Sequence, residues 1–208
     1  MNTLKARILL IFTFLVGVNS ASLGESEMPT HLKTTLDKVR ESTAYSELKT
    51  NPKHIIIADL SLPSTQKRLW LINNESNKIL LNSLVAHGNQ SGLLIAKHFS
   101  NRGGSHQSSI GVFTIGGSYQ GKHGHSIKLH GLEPHINDNA NSRHIVIHSA
   151  SYVSNRFISE HGYIGRSWGC PALSSTSLQL VAKQVSSSDL LILYAPEKDW
   201  LEHSRFLH

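Results

Sequence analysis

From His54 onward the chain is written in short stretches of β-branched and alternating residues, bounded by Asn, Gly, Ser and Pro, and this pattern limits the fold to a β-rich sheet system. The stretches are His54 to Leu60, Lys67 to Asn73, Lys78 to Ala86 and Ser109 to Gly116. Arg143 to His148 follows as a buried strand, because Ile145, Val146 and Ile147 form a continuous apolar run, and Leu190 to Tyr194 closes the series. Between them, Gly116 to Asn141 is rich in Gly, His and Asn and reads as a long loop or irregular hairpins.

Helical signals are peripheral. Residues 31 to 49 lack Gly and Pro, carry Leu32, Leu36 and Val39 on one face, and start behind Pro29 and Thr30, which predicts a short helix packed on the domain that follows. Tyr152 to His161 is long enough for one or two helical turns. Ser174 to Ser186 offers Leu178, Leu180, Val181 and Val185 as an apolar face.

The N-terminus places Lys5 and Arg7 before an apolar run of about eleven residues, Ile8 to Val18, followed by small residues around Ser20 and Ala21. That order is the one a signal peptidase requires, and the run is short for a hydrocarbon layer of roughly 30 Å. The expectation is a signal peptide over 1–20, an extension with a short helix over 21–50 and a catalytic domain over 51–208, exported to a periplasmic or extracellular space without a membrane span. Loss of Lys5 and Arg7 takes the formal charge from +6 to +4. A mildly basic surface follows, but no Lys/Arg cluster with interleaved aromatics marks a nucleic-acid face. A monomer is expected.

In an exported chain the single cysteine, Cys170, has no intramolecular disulfide partner and is exposed to oxidation, so it needs either a catalytic role or deep burial to persist. It lies in the glycine-punctuated run Gly162-Tyr163-Ile164-Gly165-Arg166-Ser167-Trp168-Gly169-Cys170-Pro171. A free thiol is only a few per cent thiolate at neutral pH, and an adjacent imidazole corrects this. His148, at the end of an apolar strand 22 residues earlier, is a rigidly placed candidate base. The amides of Gly169 and Cys170 are candidate oxyanion donors, whereas Pro171 has no amide hydrogen. Because the chain has 14 histidines, this spacing alone is weak.

Ile147-His148-Ser149-Ala150 followed by Ser167-Trp168-Gly169-Cys170 resembles the active-site signature of the L,D-transpeptidases (YkuD-like), and more closely the murein L,D-transpeptidase catalytic domain family. Features typical of that branch recur in order: Lys67-Arg68-Leu69, Val85-Ala86-His87-Gly88, Gly121-Lys122-His123-Gly124, Leu132-Glu133, Asn137-Asp138-Asn139-Ala140, Tyr152-Val153-Ser154 and Gly165-Arg166-Ser167-Trp168-Gly169-Cys170-Pro171-Ala172. The resemblance runs over roughly residues 32 to 196.

It implies a mainly β sandwich or barrel with short peripheral helices, an α+β arrangement. It also implies an enzyme whose cysteine attacks the L-centre carbonyl of the third residue of a peptidoglycan stem tetrapeptide, expels terminal D-alanine and passes the acyl group to an amine of a second stem. Carried over, Cys170 is the nucleophile and His148 the base, Ser149 orients the imidazole, and Ser167 and Gly169 shape the thiol and oxyanion site. Arg166 is set between holding a stem carboxylate and being a solvated loop residue. The wider family has His where Trp168 stands, and an apolar residue then Asn or Arg where Pro171-Ala172 stands; Trp168 cannot act as a base and is assigned as a wall for the stem.

No metal or organic cofactor is implied, since thiolate, imidazole and amides suffice for acyl transfer. The alternatives are an L,D-carboxypeptidase or murein hydrolase using the same pair, a non-catalytic peptidoglycan-binding module, and a zinc peptidase built on His123, His125, His130, His135 and His161. The last matches no H-E-x-x-H spacing. His144, four residues before His148, would share its face on a strand and is assigned to packing.

Overall fold

The computed structural model describes residues 27–121 and 124–208. The expected signal peptide and its cleavage point lie outside the described residues. The elements are α1 (Thr30–Glu41), α2 (Thr43–Ser46), β1 (His54–Asp59), β2 (Leu69–Asn73), β3 (Ile79–Ser83), β4 (Gly111–Gly121), β5 (Gly124–Gly131), β6 (Val146–Ser149), α3 (Asn155–His161), β7 (Ala172–Leu173), α4 (Ser175–Gln184), β8 (Leu190–Tyr194) and α5 (Lys198–His203).

All eight strands join one sheet in the order β3-β2-β1-β8-β4-β5-β6-β7. β1 with β8 and β6 with β7 are parallel, and the other neighbours are antiparallel. Just beyond β3, Ala86 bridges to Ala172 of β7, so the two ends of the sheet meet and it becomes a nearly closed barrel. The fold is therefore mainly β with short helices around it, as the strand pattern and the resemblance both imply.

Period-two alternation in β1 divides the core. Ile56 and Ala58 point into the interior with Leu69, Leu71, Phe113, Ile115, Ile147, Leu191 and Leu193. Ile55 and Ile57 point outward, where Leu32, Leu36 and Val39 of α1 cover them together with Trp200 and Phe206. Each such aliphatic side chain contributes about 1.5–3 kcal/mol by leaving water. β1 is apolar on both faces because both faces are covered.

The helix expected over 31–49 is interrupted at Ser42, whose extended backbone ends α1 and whose side chain accepts the Tyr45 amide to start α2. On α4, Leu178 and Val181 are buried, but Leu180, read as part of the apolar face, is 45% exposed.

Gly116–Asn141, expected as a long loop or irregular hairpins, is in its first half an irregular β-hairpin, with β4 running to Gly121 and β5 returning from Gly124 to Gly131; the correction is that β5 contributes to the core. Ile127 and Leu129 alternate inward against exposed Lys128 and His130, a strand pattern hidden by the Gly and His around it. The distal part of β4 is exposed on both faces and gives no apolar signal.

Candidate active site

β6 carries His148, and its parallel partner β7 begins two residues after Cys170. The register pairs His148 with Ala172, and the His148 amide donates to Pro171 O at 3.4 Å. This pairing closes the 22-residue return. Cys170 and His148 line one cleft of about 820 Å³, together with Ser149, Arg166, Ser167 and Trp168. Gly169 lies buried directly behind the thiol.

His148 is buried, and its Nδ1 lies 3.0 Å from Ser149 O. A carbonyl only accepts, so Nδ1 carries the proton and Nε2 of the neutral ring keeps its lone pair. The tautomer of the expected base is thus set by the backbone of Ser149.

The cysteine loop is pinned by Ser167. Its amide donates to His87 O at 3.0 Å and its carbonyl accepts the Asn89 amide at 2.8 Å. Its hydroxyl donates to Cys170 O at 2.6 Å and accepts the Gly169 amide at 3.1 Å. The Gly169 amide, one of the two expected oxyanion donors, is therefore already bonded within the loop. Gly169 has φ of +123°, and a Cβ there would stand 2.8 Å from Gln107 O, so the position requires glycine. Gly165 is required by proximity, since a Cβ would come within 2.5 Å of Tyr152.

The His87 that receives Ser167 is itself built into a buried chain. Arg68, fully buried, donates through Nη2 to His87 Nδ1 at 2.7 Å, through Nη1 to the carbonyls of Leu60 and Leu62, and through Nε and Nη2 to that of Val85. Burial, and then the Arg68 charge, push His87 down to about 4, so it is a neutral acceptor at physiological pH. Burial brings Arg68 down to about 10, and it stays charged.

Burial also pushes the Cys170 thiol up, opposed by a backbone hydrogen bond from Val146 and by the Arg143 guanidinium. The thiol contacts His144 O at 3.6 Å. This corrects the placement of His144: with φ of +55° it sits in the turn before β6, not on the strand, and its carbonyl rather than its ring meets the cysteine.

Arg166 is not a solvated loop residue. Its Nη1 donates to Asn89 O and Gly92 O at 3.1 and 3.0 Å, and the guanidinium lies over the Tyr163 ring. Trp168, beside the thiol, is 75% exposed.

Arg143 and Tyr152 are among the cleft residues that escaped the sequence reading of the site. Arg143 was read as a strand residue, where alternation would turn it away from His148, but the turn over 139–145 brings it to the cleft. Tyr152 stood in a recognised motif without a role; it lines the cleft, and burial first, then Cys170, push it up to about 12. Of the histidines weighed as zinc ligands, His123 lies outside the described residues, and no group of three potential ligands comes together among the described ones. No helix among the described residues is long and apolar enough to cross a membrane.

Residues 26–194 match the family of L,D-transpeptidase catalytic domains. No curated protein matches. Solved structures resemble the chain at low identity. An L,D-transpeptidase from Mycobacterium smegmatis is 15% identical over 69% of this chain and 59% of that one, with a TM-score of 0.43. L,D-transpeptidase 3 from Mycobacterium tuberculosis, in complex with a faropenem-derived adduct, is 12% identical over 71% and 62%, with a TM-score of 0.45. An L,D-transpeptidase from Stackebrandtia nassauensis is 12% identical over 82% and 69%, with a TM-score of 0.42. The match thus takes in less than two thirds of the M. smegmatis chain.

Proposed function

The chain belongs to the L,D-transpeptidase catalytic domain family, and from that premise we propose that it is an exported cysteine acyltransferase acting on peptidoglycan stem peptides. The observation that carries the reading is the imidazole of His148, oriented by Ser149 O at its Nδ1, on the same cleft as the chain's single cysteine.

The resting thiol is neutral, because burial raises it. His148 Nε2 therefore takes the proton as Sγ attacks the carbonyl of the third stem residue. The Cys170 amide stabilises the oxyanion, and Tyr152, protonated across the working pH range, is a second donor on the cleft. The C–N bond to D-alanine breaks as His148 returns the proton to the leaving amine, which leaves a thioester on Sγ. An amine of a second stem then displaces Sγ, restoring the thiol and forming the cross-link. Among the described residues lining the cleft none is acidic, while Arg143 and Arg166 are present, which suits a donor stem bearing carboxylates.

The test is to incubate residues 21–208, and their Cys170→Ala variant, with purified disaccharide-tetrapeptide and to identify products by mass spectrometry. Dimers lacking one D-alanine are expected. Tripeptide monomers alone would make the protein an L,D-carboxypeptidase, and a variant as active as the parent would remove the thiol mechanism. Export is checked by sequencing the N-terminus of protein recovered outside the cytoplasm, where a start near Ala21 is expected and a retained Met1 overturns it.

A further inference from the structure

Among the described residues the exposed large apolar side chains are Leu80, Leu93, Leu94, Tyr119, Trp168 and Leu180. Only the two aromatics line the cleft. Trp168 is the most exposed of the six, at 75%, although its neighbours Ser167 and Gly169 are both buried. A large indole left in water beside a reactive thiol is the kind of surface that binds something.

Its presentation is rigid. Ser167 is held on four sides, by His87 O, the Asn89 amide, Cys170 O and the Gly169 amide. One face of the indole is already occupied, since the His106 ring stacks on it at 4.9 Å with an interplanar angle of 9°. The His106 backbone is held in turn: its carbonyl accepts the Gln90 amide, and the Gln107 carbonyl next to it accepts Arg143 Nη2 at 2.7 Å. The result is a flat, backed aromatic plate with one face open. Such a plate selects a flat ligand with a C–H-rich face and polar edges.

Position identifies which part of the substrate this is. Two residues of chain separate Trp168 from Cys170, at most about 7 Å, and the indole extends outward from there. In a stem peptide whose third residue lies at Sγ, the amino sugar that bears the stem is three residues away, about 10 Å of extended chain. A plate on the same cleft as Sγ and within that reach is placed to meet the sugar of a stem bound at the thiol. We propose that Trp168, backed by His106, is a stacking subsite for the pyranose ring of the N-acetylated amino sugar attached to the donor stem. This inference rests on the stem-peptide reading. It makes the enzyme selective for glycan-borne stems over free peptides.

The experiment compares thioester formation at Cys170 from disaccharide-tetrapeptide and from sugar-free tetrapeptide, in the parent, Trp168→Ala and Trp168→Phe. The parent is expected to prefer the disaccharide substrate by about ten-fold in kcat/KM, the scale of one aromatic stacking contact. The preference lies in KM, falls toward unity in Trp168→Ala and is partly kept in Trp168→Phe. Equal efficiency for both substrates in the parent, or a preference unchanged in Trp168→Ala, overturns the sugar subsite alone. No thioester from either substrate overturns the stem-peptide reading and the subsite with it.

Discussion

Replacing Arg143 separates two things that residue does. Its guanidinium donates to Ser109 Oγ at 2.6 Å, Gln107 O at 2.7 Å, Ser105 Oγ at 3.2 Å and Ser100 O, which ties the 100–109 segment to the turn before β6. It also lowers the Cys170 thiol against burial. The residue is partly buried, so water can replace some of the lost donors, and each bond is worth about 0.5–1.5 kcal/mol net. Four such bonds give about 2–4 kcal/mol for Arg143→Ala, or about 6–12 °C in Tm for a domain of this size. Removing the charge moves the thiol further up, so the pH midpoint for iodoacetamide alkylation of Cys170 rises. Arg143→Lys keeps the charge but not the fork of donors: it should lose stability while holding the midpoint near that of the parent. An Arg143→Ala protein within about 2 °C of the parent would refute the tie. A lower or unchanged midpoint in Arg143→Ala would refute the electrostatic role.

Glu133, buried with a carboxyl pushed up by burial, accepts the Val112 amide at 2.6 Å, Trp200 Nε1 at 3.1 Å and the Ser204 hydroxyl; Glu133→Ala strands three buried donors and should destabilise by about 3–5 kcal/mol in urea unfolding, and a loss below about 1 kcal/mol would contradict this. Because Cys170 is raised in the folded state, the unfolded chain ionises first, and stability falls as pH rises from about 8.5 toward and through the folded value. Urea midpoints from pH 7 to 10 should therefore decline more steeply in the parent than in Cys170→Ser, and parallel curves would count against burial of the thiol. Gly169→Ala forces a Cβ against Gln107 O at φ of +123° and should lower stability by about 1–3 kcal/mol; thioester formation should fall at least ten-fold, and a fully active variant would show that the loop is not constrained there.

The strands were legible where burial writes a pattern. β1, β2 and β8 are apolar runs because both faces of the sheet are covered there, and β8 falls on the expected residues, Leu190–Tyr194. Of the hairpin region read as a loop or irregular hairpins, the distal half of β4 was not legible as a strand, because a ribbon exposed on both faces has no apolar side to reveal its period, and the Ile127/Leu129 alternation of β5 was hidden by the Gly and His around it. Likewise β7 has only two residues, too few for any periodicity, yet its pairing with β6 is what brings the thiol to the imidazole. His148 and Cys170 were found through a signature. Arg143 was not, because its place in the cleft comes from a turn with His144 in the left-handed region, which no alternation could forecast.

The motifs that carry the family resemblance lie far apart in sequence, and one bonded path gives several of them a common physical purpose. Arg68 donates to His87, His87 O receives the Ser167 amide, and the Ser167 hydroxyl holds both Gly169 N and Cys170 O. A fully buried guanidinium is expensive to desolvate, and an apolar side chain of its volume could pack as stably. What an apolar replacement could not do is hold His87 in the tautomer that accepts at Nδ1 and donates from Nε2 toward Gly92 O, or carry that order to the cysteine loop. Arg166 donates to the same Gly92 carbonyl, so the loop over 87–92 is tied both to Arg68, through His87, and to the cysteine run. The order of the cysteine loop thus runs through two buried or part-buried arginines, Arg68 by way of His87 and Arg166 by way of Gly92 O.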